Sequence, residues 1–362
     1  MLNIYIIIPN LKGGGSERVI SNLVKYIDKN RFDVTLILGN KIGEYVKDIP
    51  VGIRVVDLRK NRVRYAIIPI IKIIKKEKPD IVLSTLGHLN LLIALFRPFL
   101  PRKTKFIARE SNTISVRNKD ESCPWLFDFL FKTVYRNFDL VICQAESMKL
   151  DLLTNYNFPS DKTVVINNPI DFKNIDKLNA ETAGVHLPDN KYNLLIVGRL
   201  SSQKRVDHAI KAMQNLSNEY HLTILGEGEL KVQLQQLIDT LNLKEKISLV
   251  GFSDNPYSIY SKVDLLLSTS EYEGFPNVVL EANACGLPVV AYNYIGGINE
   301  IIVEGINGHL VENGNIRELS KTIINVLKYN NYDKKNIKIL TKKRFEVGKI
   351  VKSYENEFYK LI

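Results

Sequence analysis

Short runs rich in Val, Ile and Leu alternate with helical stretches along this chain, and the alternation stops once and then restarts. In the first half the apolar runs lie at 4–8, 33–38, 53–58, 80–85, 105–109, 139–143 and 163–166. Nearly continuous apolar runs are typical of parallel strands that are buried on both faces of a sheet. Helical patterns at 16–29 and 66–78 lie between them. The first half is therefore predicted to be a doubly wound α/β domain.

The alternation is interrupted by a polar stretch, residues 167–191, which contains two prolines and has no clear periodicity. Apolar runs then resume at 193–198, 221–226, 247–251, 263–268 and 287–292. The polar stretch is interpreted as a linker, so we expect two Rossmann-like domains, residues 1–175 and 176–345, with a ligand site in the cleft between them. Residues 346–362 are expected to form a C-terminal helix that packs back on the first domain.

The bulk composition is that of a soluble globular protein: 45% of the 362 residues are hydrophobic and 25% are charged. No apolar run reaches the ~18–20 residues that span a bilayer. No basic segment precedes the first apolar run, so the N-terminus is predicted to be a strand and not a signal peptide. Cys123, Cys143 and Cys285 lack metal-type or disulfide-type spacing, which favours a reducing cytoplasm. The five histidines are dispersed, so no zinc site is expected.

The net charge is confined to one half of the chain. Residues 1–175 contain 28 Lys and Arg against 17 Asp and Glu, a difference of +11, whereas residues 176–362 contain 22 of each sign. Such asymmetry indicates that the first half meets an anionic partner, and nucleic acid and an anionic membrane are the two broad options.

Three consecutive glycines, Gly13, Gly14 and Gly15, follow the first predicted strand and precede a helix. Glycines at such a place allow backbone N–H groups to approach a ligand closely, and the N-terminus of a helix favours an anion. The segment is neither a Walker A motif nor a GxGxxG motif. Two interpretations therefore stay open, a phosphate-binding loop and a tight turn between strand and helix.

Two cations, Arg199 and Lys204, follow the first predicted strand of the second domain. Ligands of open α/β sheets bind at the carboxyl ends of the strands. At that edge an arginine fork and a lysine point charge could together hold a diphosphate. The alternative is a solvated loop with ordinary basic residues.

Two glutamates, Glu273 and Glu281, bracket a turn and the start of an apolar run. Pro276 suits the first turn of a short helix and Gly286 suits its end, so Glu273 is predicted to precede the helix and Glu281 to lie within it. The first N–H groups of the helix are free donors, and carboxylates accept hydrogen bonds from sugar hydroxyls. The alternatives are a loop acid for Glu273 and a buried or capping carboxylate for Glu281.

Taken together, these motifs resemble a known family, the retaining GT-B glycosyltransferases of family 4. The resemblance rests on GGG (13–15), VGRLSSQKR (197–205), GEGEL (226–230), VGF (250–252) and EYEGFPNVVLEANACGLPVVA (271–291). In the last of these, Glu273 and Glu281 match the E-x7-E motif of that family. The resemblance covers nearly the whole chain and is densest over 193–311. It implies an α/β GT-B fold, in which two Rossmann-like doubly wound domains face a central cleft.

The resemblance also implies roles for individual residues. Arg199 and Lys204 match the pair that holds the donor diphosphate, Glu281 matches the acid on the donor ribose, and Glu273 matches the acid that contacts the donor sugar. The backbone contacts to the donor would come from Gly274, Phe275, Pro276 and Asn277. The glycines at 13–15 match the loop that faces the diphosphate. Catalytic roles are expected for Glu273, Arg199 and Lys204.

A further catalytic group is expected in the first domain, where two candidates stay open. Many relatives have a histidine where this chain has Glu110, in the segment Ile107–Asn112. His88 follows the fourth predicted strand and would face the same cleft. Either side chain could contact the donor sugar or the acceptor, and a plain loop or core role for His88 is the alternative.

The reaction that the resemblance implies is transfer of a sugar from a nucleotide-diphospho-sugar, with a UDP-sugar favoured, to a glycan or polyprenyl-diphosphate-linked acceptor in bacterial surface polysaccharide assembly. The resemblance also implies that neither a metal nor another cofactor is needed, and the sequence agrees with this, since it contains no Asp-x-Asp. The alternatives are a non-catalytic nucleotide-sugar-binding subunit and another GT-B enzyme, such as an epimerase or a phosphorylase.

Basic and apolar residues are mixed in three segments of the first half, 60–79, 97–106 and 123–138. Amphipathic basic helices that carry Trp and Phe suit the surface of an anionic membrane. Nucleic acid is disfavoured because no binding motif for it is present. We therefore expect a cytoplasmic protein that is peripheral to the inner face of the plasma membrane. The alternative is ordinary helices that pack on the sheet with lysines at their edges.

Overall fold

The structure is a computed structural model, which describes residues 1–181, 184–329 and 331–362. The strands are β1 (Leu2–Ile8), β2 (Phe32–Leu38), β3 (Arg54–Asp57), β4 (Ile81–Thr85), β5 (Lys105–Arg109), β6 (Leu140–Cys143), β7 (Thr163–Val165), β8 (Tyr192–Val197), β9 (Tyr220–Leu225), β10 (Ile247–Gly251), β11 (Leu265–Ser268), β12 (Val289–Tyr292) and β13 (Gly308–Val311). The α-helices are α1 (Gly15–Tyr26), α2 (Val63–Glu77), α3 (Gly87–Phe96), α4 (Ile114–Arg117), α5 (Pro124–Thr133), α6 (Glu146–Tyr156), α7 (Phe172–Asn179), α8 (Val206–Ala212), α9 (Lys231–Thr240), α10 (Tyr257–Tyr260), α11 (Asn277–Ala284), α12 (Ile298–Ile301), α13 (Ile316–Tyr329), α14 (Lys334–Phe345) and α15 (Val347–Lys360).

The chain divides into two compact units. The first unit comprises Met1–Pro169 and Val347–Ile362, and the second comprises Ile170–Glu346. The chain thus enters the second unit earlier than the boundary at 175 that the polar linker suggested, and it returns to the first unit for its last helix.

The first unit is built on a parallel sheet with the strand order β3-β2-β1-β4-β5-β6-β7. Strand β1 pairs in parallel with β2, as in Ile4↔Val34, and with β4, as in Ile6↔Leu83. The direction of winding reverses between β1 and β4. Right-handed crossovers therefore place α1 on one face of the sheet and α2, α3, α5 and α6 on the other. The loops that follow β1 and β4 lie at the switch point of this sheet, where doubly wound folds bind ligands.

The last helix, α15, packs beside α1 and completes the core on that face of the sheet. Tyr354 and Phe358 of α15 are buried in the same apolar cluster as Leu23 of α1. Arg109 at the end of β5 is fully buried and fastens this helix. Its Nε atom donates to the Tyr354 hydroxyl over 3.0 Å, and its Nη2 atom donates to Asn168 over 2.7 Å.

The second unit is built on a parallel sheet with the strand order β10-β9-β8-β11-β12-β13. Its winding reverses between β8 and β11, which pair in parallel through Leu265↔Leu194 and Leu266↔Leu195. The loops that follow these two strands consequently leave the same edge of the sheet as neighbours. That edge is the site at which the sequence placed Arg199, Lys204 and Glu273.

Strand β13 and helix α7 of the second unit were not predicted. Strand β13 begins with glycine and histidine and therefore lacks an apolar run. Glycine is required at position 308, because a Cβ atom there would lie 2.3 Å from the carbonyl oxygen of Val289. Helix α7 lies inside the predicted linker, so that part of the prediction is wrong. The Asp171 side chain caps α7 by accepting from the Asn174 N–H over 3.1 Å. Thr182 and Ala183 of the predicted linker lie outside the described residues.

Candidate active site

The loops after β8 and β11 in the second unit are joined by hydrogen bonds. The Thr269 hydroxyl donates to the carbonyl oxygen of Lys204 over 3.0 Å, and the Glu271 N–H donates to that of Gln203 over 2.8 Å. The Gln203 amide in turn donates to the carbonyl oxygen of Tyr272 over 2.8 Å. The two loops therefore form one connected surface at the switch point.

This surface brings together two of the predicted site residues, Lys204 and Glu273. The Lys204 Nζ atom forms an ion pair and hydrogen bond with Oε1 of Glu273. The Ser270 hydroxyl donates to the same oxygen over 2.9 Å. The side chains are 25% and 14% exposed, so both are partly withdrawn from water while remaining open to a ligand. Partial desolvation strengthens the attraction between two such charges.

Arg199 lies on the same loop but differs from Lys204 in its environment. Its side chain is exposed, and within the part of the chain that the structure describes it has no hydrogen bond or ion pair. The neighbouring carboxylate of Glu271 pairs instead with Arg205, over 2.8 Å. Arg199 is thus a cation whose charge is not neutralised by a neighbouring side chain, on the surface that Lys204 and Glu273 occupy.

Helix α11 begins at Asn277, and Pro276 is its N-cap residue, one position earlier than the first turn where the sequence placed it. Gly274 precedes it and accepts a backbone hydrogen bond from Gly297 over 2.8 Å. The Phe275 side chain does not face solvent. It is 5% exposed and packs edge-on against Phe345 with 5.8 Å between ring centroids. Phe275 therefore contributes packing that holds the start of the helix, along with its backbone.

Glu281 lies within α11, as predicted, and is only 3% exposed. Its Oε2 atom is 3.5 Å from the hydroxyl of Tyr260. The two glutamates of the predicted motif therefore have different environments, since Glu273 belongs to the loop surface and Glu281 to the interior beneath it.

Gly296 holds the loop that carries Glu273, and the sequence interpretation did not assign it a role. Its φ is +136°, and a Cβ atom on it would lie 1.8 Å from the carbonyl oxygen of Glu273. The Glu273 N–H donates to the carbonyl oxygen of Ile295 over 3.1 Å. Only glycine allows the two backbones to approach this closely. The pair Gly296-Gly297 in the sequence was the available signal.

The charge of Glu273 also acts on a buried tyrosine. The Tyr294 hydroxyl lies 3.2 Å from the Ser268 hydroxyl at the end of β11. Burial raises the pKa of Tyr294 well above its ordinary value of 10.0, and the nearby Glu273 carboxylate raises it further. Tyr294 therefore stays a neutral hydroxyl beneath this loop.

The GEGEL and VGF motifs, residues 226–230 and 250–252, lie at the same edge of the sheet. The Leu200 N–H donates to the carbonyl oxygen of Glu227 over 2.9 Å. A Cβ atom on Gly228 would lie 2.3 Å from the carbonyl oxygen of Leu200, so the two loops touch backbone to backbone. Val250 is 45% and Phe252 60% exposed, which leaves both side chains available to a ligand.

In the first unit, Gly14 is the N-cap residue of α1 and Gly15 its first residue. Carboxylates lie beside this loop: a Cβ atom on Gly13 would lie 3.0 Å from Oε1 of Glu44, and one on Gly14 would lie 2.2 Å from Oε2 of Glu17. Glu17, in the first turn of α1, already stabilises the positive N-terminal end of this helix. An anionic ligand at this loop would therefore have to displace a carboxylate.

His88 lies at the carboxyl end of β4, as the second residue of α3, and half of its side chain is exposed. Its Nε2 atom is 2.8 Å from Oε1 of Glu121, and its ring packs edge-on against Phe127 with 5.5 Å between centroids. A carboxylate partner fixes the orientation of an imidazole. The sequence interpretation did not identify Glu121 as that partner.

Glu110 follows β5 but is 1% exposed, so its carboxyl group lies below the surface. The Asn90 amide donates to its Oε1 atom over 2.8 Å, and the Tyr135 hydroxyl donates to the same atom. Its Oε2 atom is buried and has no hydrogen-bond partner among the described residues. Glu110 and His88 thus have separate partners, and Glu110 holds the side chains of Asn90 and Tyr135 in position.

Burial raises the pKa of Glu110 above its ordinary value of 4.5, although Arg117 acts in the opposite direction. A raised pKa in the folded state means that the associated stability is full below about pH 4.5 and is lost as the pH rises through the folded-state pKa. We therefore expect Glu110→Gln to become more stable, relative to the unmodified protein, between pH 5 and pH 8. Urea unfolding at both pH values measures this. A stability difference that does not change with pH, or that changes equally for the exposed-loop control Glu229→Gln, would contradict it.

In the described ranges 1–181, 184–329 and 331–362, no three His, Cys, Asp or Glu side chains are grouped so that they could hold a metal ion.

Two family models match the chain, Glycosyltransferase Family 4 over residues 13–174 and Glycosyl transferases group 1 over residues 180–343. A protein of Campylobacter jejuni, N-acetylgalactosamine-N,N'-diacetylbacillosaminyl-diphospho-undecaprenol 4-alpha-N-acetylgalactosaminyltransferase, is 32% identical over 327 residues, which cover 86% of this chain and 86% of that protein. The chain belongs to the group 1 glycosyltransferases. The resemblance that the motifs indicated is confirmed.

Further similarities of this glycosyltransferase agree with that assignment. The amylovoran biosynthesis glycosyltransferase AmsD of Erwinia amylovora is 26% identical over 325 residues, which cover 86% of each chain. The crystal structure of Anabaena HepE in complex with UDP superposes with a TM-score of 0.78 at 20% identity, over 99% of this chain and 100% of that one. At that identity the likeness shows the fold alone. The predicted α/β GT-B class, with two Rossmann-like sheets, is confirmed.

Proposed function

We propose that this glycosyltransferase transfers a sugar, with retention of anomeric configuration, from a UDP-sugar to a hydroxyl group of a polyprenyl-diphosphate-linked oligosaccharide. The Campylobacter jejuni relative is named for a diphospho-undecaprenol acceptor, and the Anabaena structure holds UDP. The observation that carries the proposal is the contact between Lys204 and Glu273 at the switch point of the second sheet. A cation and a carboxylate in contact there supply one group for a diphosphate and one for sugar hydroxyls.

The donor diphosphate is proposed to bind at Arg199 and Lys204. Arg199 is exposed and Lys204 is partly buried, so the first contributes an accessible fork and the second a charge whose effect is less screened by water. Glu273 is proposed to accept hydrogen bonds from the donor sugar, and Glu281 from the ribose. Arrival of the diphosphate gives Lys204 a second anionic partner, and the Ser270 hydroxyl keeps Glu273 oriented.

The proposed reaction breaks the bond between the anomeric carbon and the diphosphate oxygen, and it forms a bond between that carbon and the acceptor oxygen on the same face. The leaving diphosphate carries away the electron pair and takes the proton of the acceptor hydroxyl. Arg199 and Lys204 stabilise the charge that develops on the diphosphate. Because these cations and the N–H groups that precede α11 supply this stabilisation, we propose that transfer requires no metal.

His88 is proposed to contact the substrate, and Glu121 to orient it. We expect His88→Gln to lower kcat by roughly 100-fold, the lower range for a positioned proton-transfer group, and Glu121→Gln to lower it less. The matched control is His309→Gln, which removes a histidine that also pairs with a carboxylate, Glu304, in the second unit. Initial rates across pH measure the effect. Equal rates for the His88 and His309 variants would contradict the assignment.

A thermal-shift screen across nucleotide sugars tests the donor proposal. A ligand that binds only the folded protein stabilises it by about 2.7 kcal/mol at 100 times its dissociation constant. We expect UDP and at least one UDP-sugar to raise the unfolding temperature, and we expect Lys204→Met to abolish the rise. No rise with any nucleotide diphosphate or nucleotide sugar would overturn the proposed donor class.

We propose that the enzyme works at an anionic membrane surface, through the outer face of α5. Phe131 of this helix is buried, whereas Trp125 is 72% and Phe129 58% exposed. The nearby Lys132 and Arg136 are exposed. Exposed aromatic rings beside cations suit the interface of an anionic bilayer. In the described residues, no helix is long and apolar enough to cross a membrane.

The double substitution Trp125→Ser with Phe129→Ser should reduce flotation with anionic vesicles by roughly 10-fold or more, because each ring loses apolar burial in the bilayer. The control pair is Val232→Ser with Tyr329→Ser, two residues of the second unit that are 68% and 78% exposed. All four side chains are exposed, so neither pair should change thermal stability much. Equal flotation of the two double variants would contradict a role for α5.

A further inference from the structure

We propose that a second site, distinct from the candidate active site, binds a phosphate-bearing group in a cavity at the amino-terminal edge of the first sheet. The cavity has a volume of about 620 Å³. Two chain segments line it, the turn from α2 into β4 at 75–80 and the loop that leads into β5 at 99–104. Both segments lie where strands begin, whereas His88 and Glu110 lie where strands end.

The separation between the two edges rules out a shared ligand. Strand β4 spans five residues, Ile81–Thr85, and a strand rises about 3.3 Å per residue, which makes roughly 16 Å from the cavity to the edge that carries His88. A phosphate held in the cavity therefore cannot touch His88. This inference does not depend on the transferase activity.

Four cations line the cavity: Lys75, Lys78, Arg102 and Lys103. All four are exposed, and among the described residues none has an ion-pair partner. The one acid in the lining is Asp80, and its Oδ2 atom already accepts from the backbone N–H of Asn3 over 2.8 Å. The cavity lining therefore carries a strong positive charge, and the carboxylate of Asp80 is already hydrogen-bonded to the backbone.

A lysine near the end of α2 has an ordinary explanation, because cations stabilise the negative C-terminus of a helix. Arg102 and Lys103 cannot be explained in this way, since they lie on a different segment, after α3. Two independent pieces of chain thus direct unpaired cations to one cavity. An arginine fork together with lysine point charges is the set that proteins use to hold phosphate oxygens.

The floor of the cavity is fixed in place. The Thr104 hydroxyl, which is 1% exposed, donates to the carbonyl oxygen of Pro79 over 2.7 Å. The Lys105 N–H donates to the carbonyl oxygen of Asp80 over 2.8 Å. These bonds join the two lining segments to each other. The backbone that carries the four cations is therefore already ordered before a ligand binds.

The rim of the cavity is apolar on one side. Phe99 is 69% exposed, and Leu100 and Pro101 continue the lining beside it. A phosphate monoester or diester is the chemistry that the cations select. It could come from the headgroup of an anionic phospholipid, whose chains would meet Phe99, or from a free phosphate or diphosphate in solution.

The test uses the full chain and the double variant Arg102→Ser with Lys103→Ser. Its control is Lys29→Ser with Lys47→Ser, which removes the same charge from exposed positions of the same unit. Thermal unfolding of both variants checks that they fold. Binding is measured to vesicles of neutral lipid with 30% anionic phospholipid, and to inorganic diphosphate by calorimetry, with no nucleotide sugar or acceptor present.

If the bound phosphate belongs to a lipid headgroup, the cavity variant should lose roughly 10-fold or more of its vesicle affinity, and the control variant should lose much less. The Phe99→Ser variant should then also bind vesicles more weakly. If the source is free phosphate, the cavity variant should bind one diphosphate fewer than the unmodified protein and the control, because Arg199 and Lys204 are intact in all three, and Phe99→Ser should have no effect. The proposal is overturned if the cavity variant binds both probes as the control does, or if the unmodified protein binds neither. A negative result in this experiment would not argue against the proposed donor site, because that site is tested separately with nucleotide sugars.

Discussion

Replacing Lys204 with methionine should lower kcat/KM for sugar transfer by roughly 100- to 1,000-fold, the range found when one charge stabiliser of a transition state is removed. Methionine keeps the length of the side chain but loses the charge that contacts Glu273 and, in the proposed complex, the donor diphosphate. The loss should appear partly in KM, because Lys204 contacts the bound diphosphate, and partly in kcat, because the diphosphate gains charge as it leaves. Steady-state kinetics over a range of donor concentrations measure both parameters.

The matched control for this experiment is Lys211→Met. Lys211 lies on α8 and also pairs with a carboxylate, Asp207, over 2.7 Å, but its partner lies on the same helix, one turn away. Exposed pairs of that kind contribute only about 0.3–0.5 kcal/mol, so activity should stay within about twofold. If Lys204→Met and Lys211→Met reduce kcat/KM equally, the ion pair with Glu273 is a surface feature and the assignment of the diphosphate site is wrong.

Replacing Gly296 with alanine should destabilise the second unit by roughly 3 kcal/mol and abolish most activity, because the added Cβ atom meets backbone that cannot yield. That atom would lie 1.8 Å from the carbonyl oxygen of Glu273, at a φ of +136° that other residues rarely adopt. Relief of the clash must move the loop that carries Glu273. Urea unfolding and transfer rates measure the two effects.

The Gly305→Ala variant measures the cost of a positive φ alone, without the steric clash that Gly296→Ala adds. Gly305 also has a positive φ, +73°, but a Cβ atom there would have no neighbour within 4 Å. The cost should be only the roughly 1 kcal/mol of a left-handed residue, with normal activity. A Gly296→Ala variant that is as stable and active as Gly305→Ala would contradict the role of the close backbone contact at Glu273.

The fold could be predicted from the sequence because a buried parallel strand has a strong local signal. The run IYIII in β1 is buried throughout, and so are the last four residues of the run KFIAR in β5. Strand β13 could not be predicted, since its four residues begin with Gly308 and His309 and their pairing with β12 depends on a close backbone contact. Helix α7 could not be predicted either, because few of its side chains are buried and a side-chain cap at Asp171 sets its start.

The site could be predicted only in part. The motifs indicated which side chains to expect near the ligand, but the contact of Lys204 with Glu273 joins residues 69 positions apart and depends on the order of the strands. Glu110 illustrates a different limit. A carboxylate after a strand is normally expected at the surface, yet this one is buried with one oxygen unpartnered, an environment that disfavours the charged form.

The measurement that tests the central claim most directly is transfer by the purified protein from a labelled UDP-sugar to a polyprenyl-diphosphate-linked oligosaccharide, with a chelator present. We predict a labelled lipid-linked product, release of one UDP for each sugar transferred, and an anomeric configuration in the product, read by NMR, that matches the donor. Strict dependence on a divalent ion would contradict the metal-free part of the account. Inverted configuration, or no transfer from any nucleotide sugar while the donor still binds, would contradict the proposed function itself.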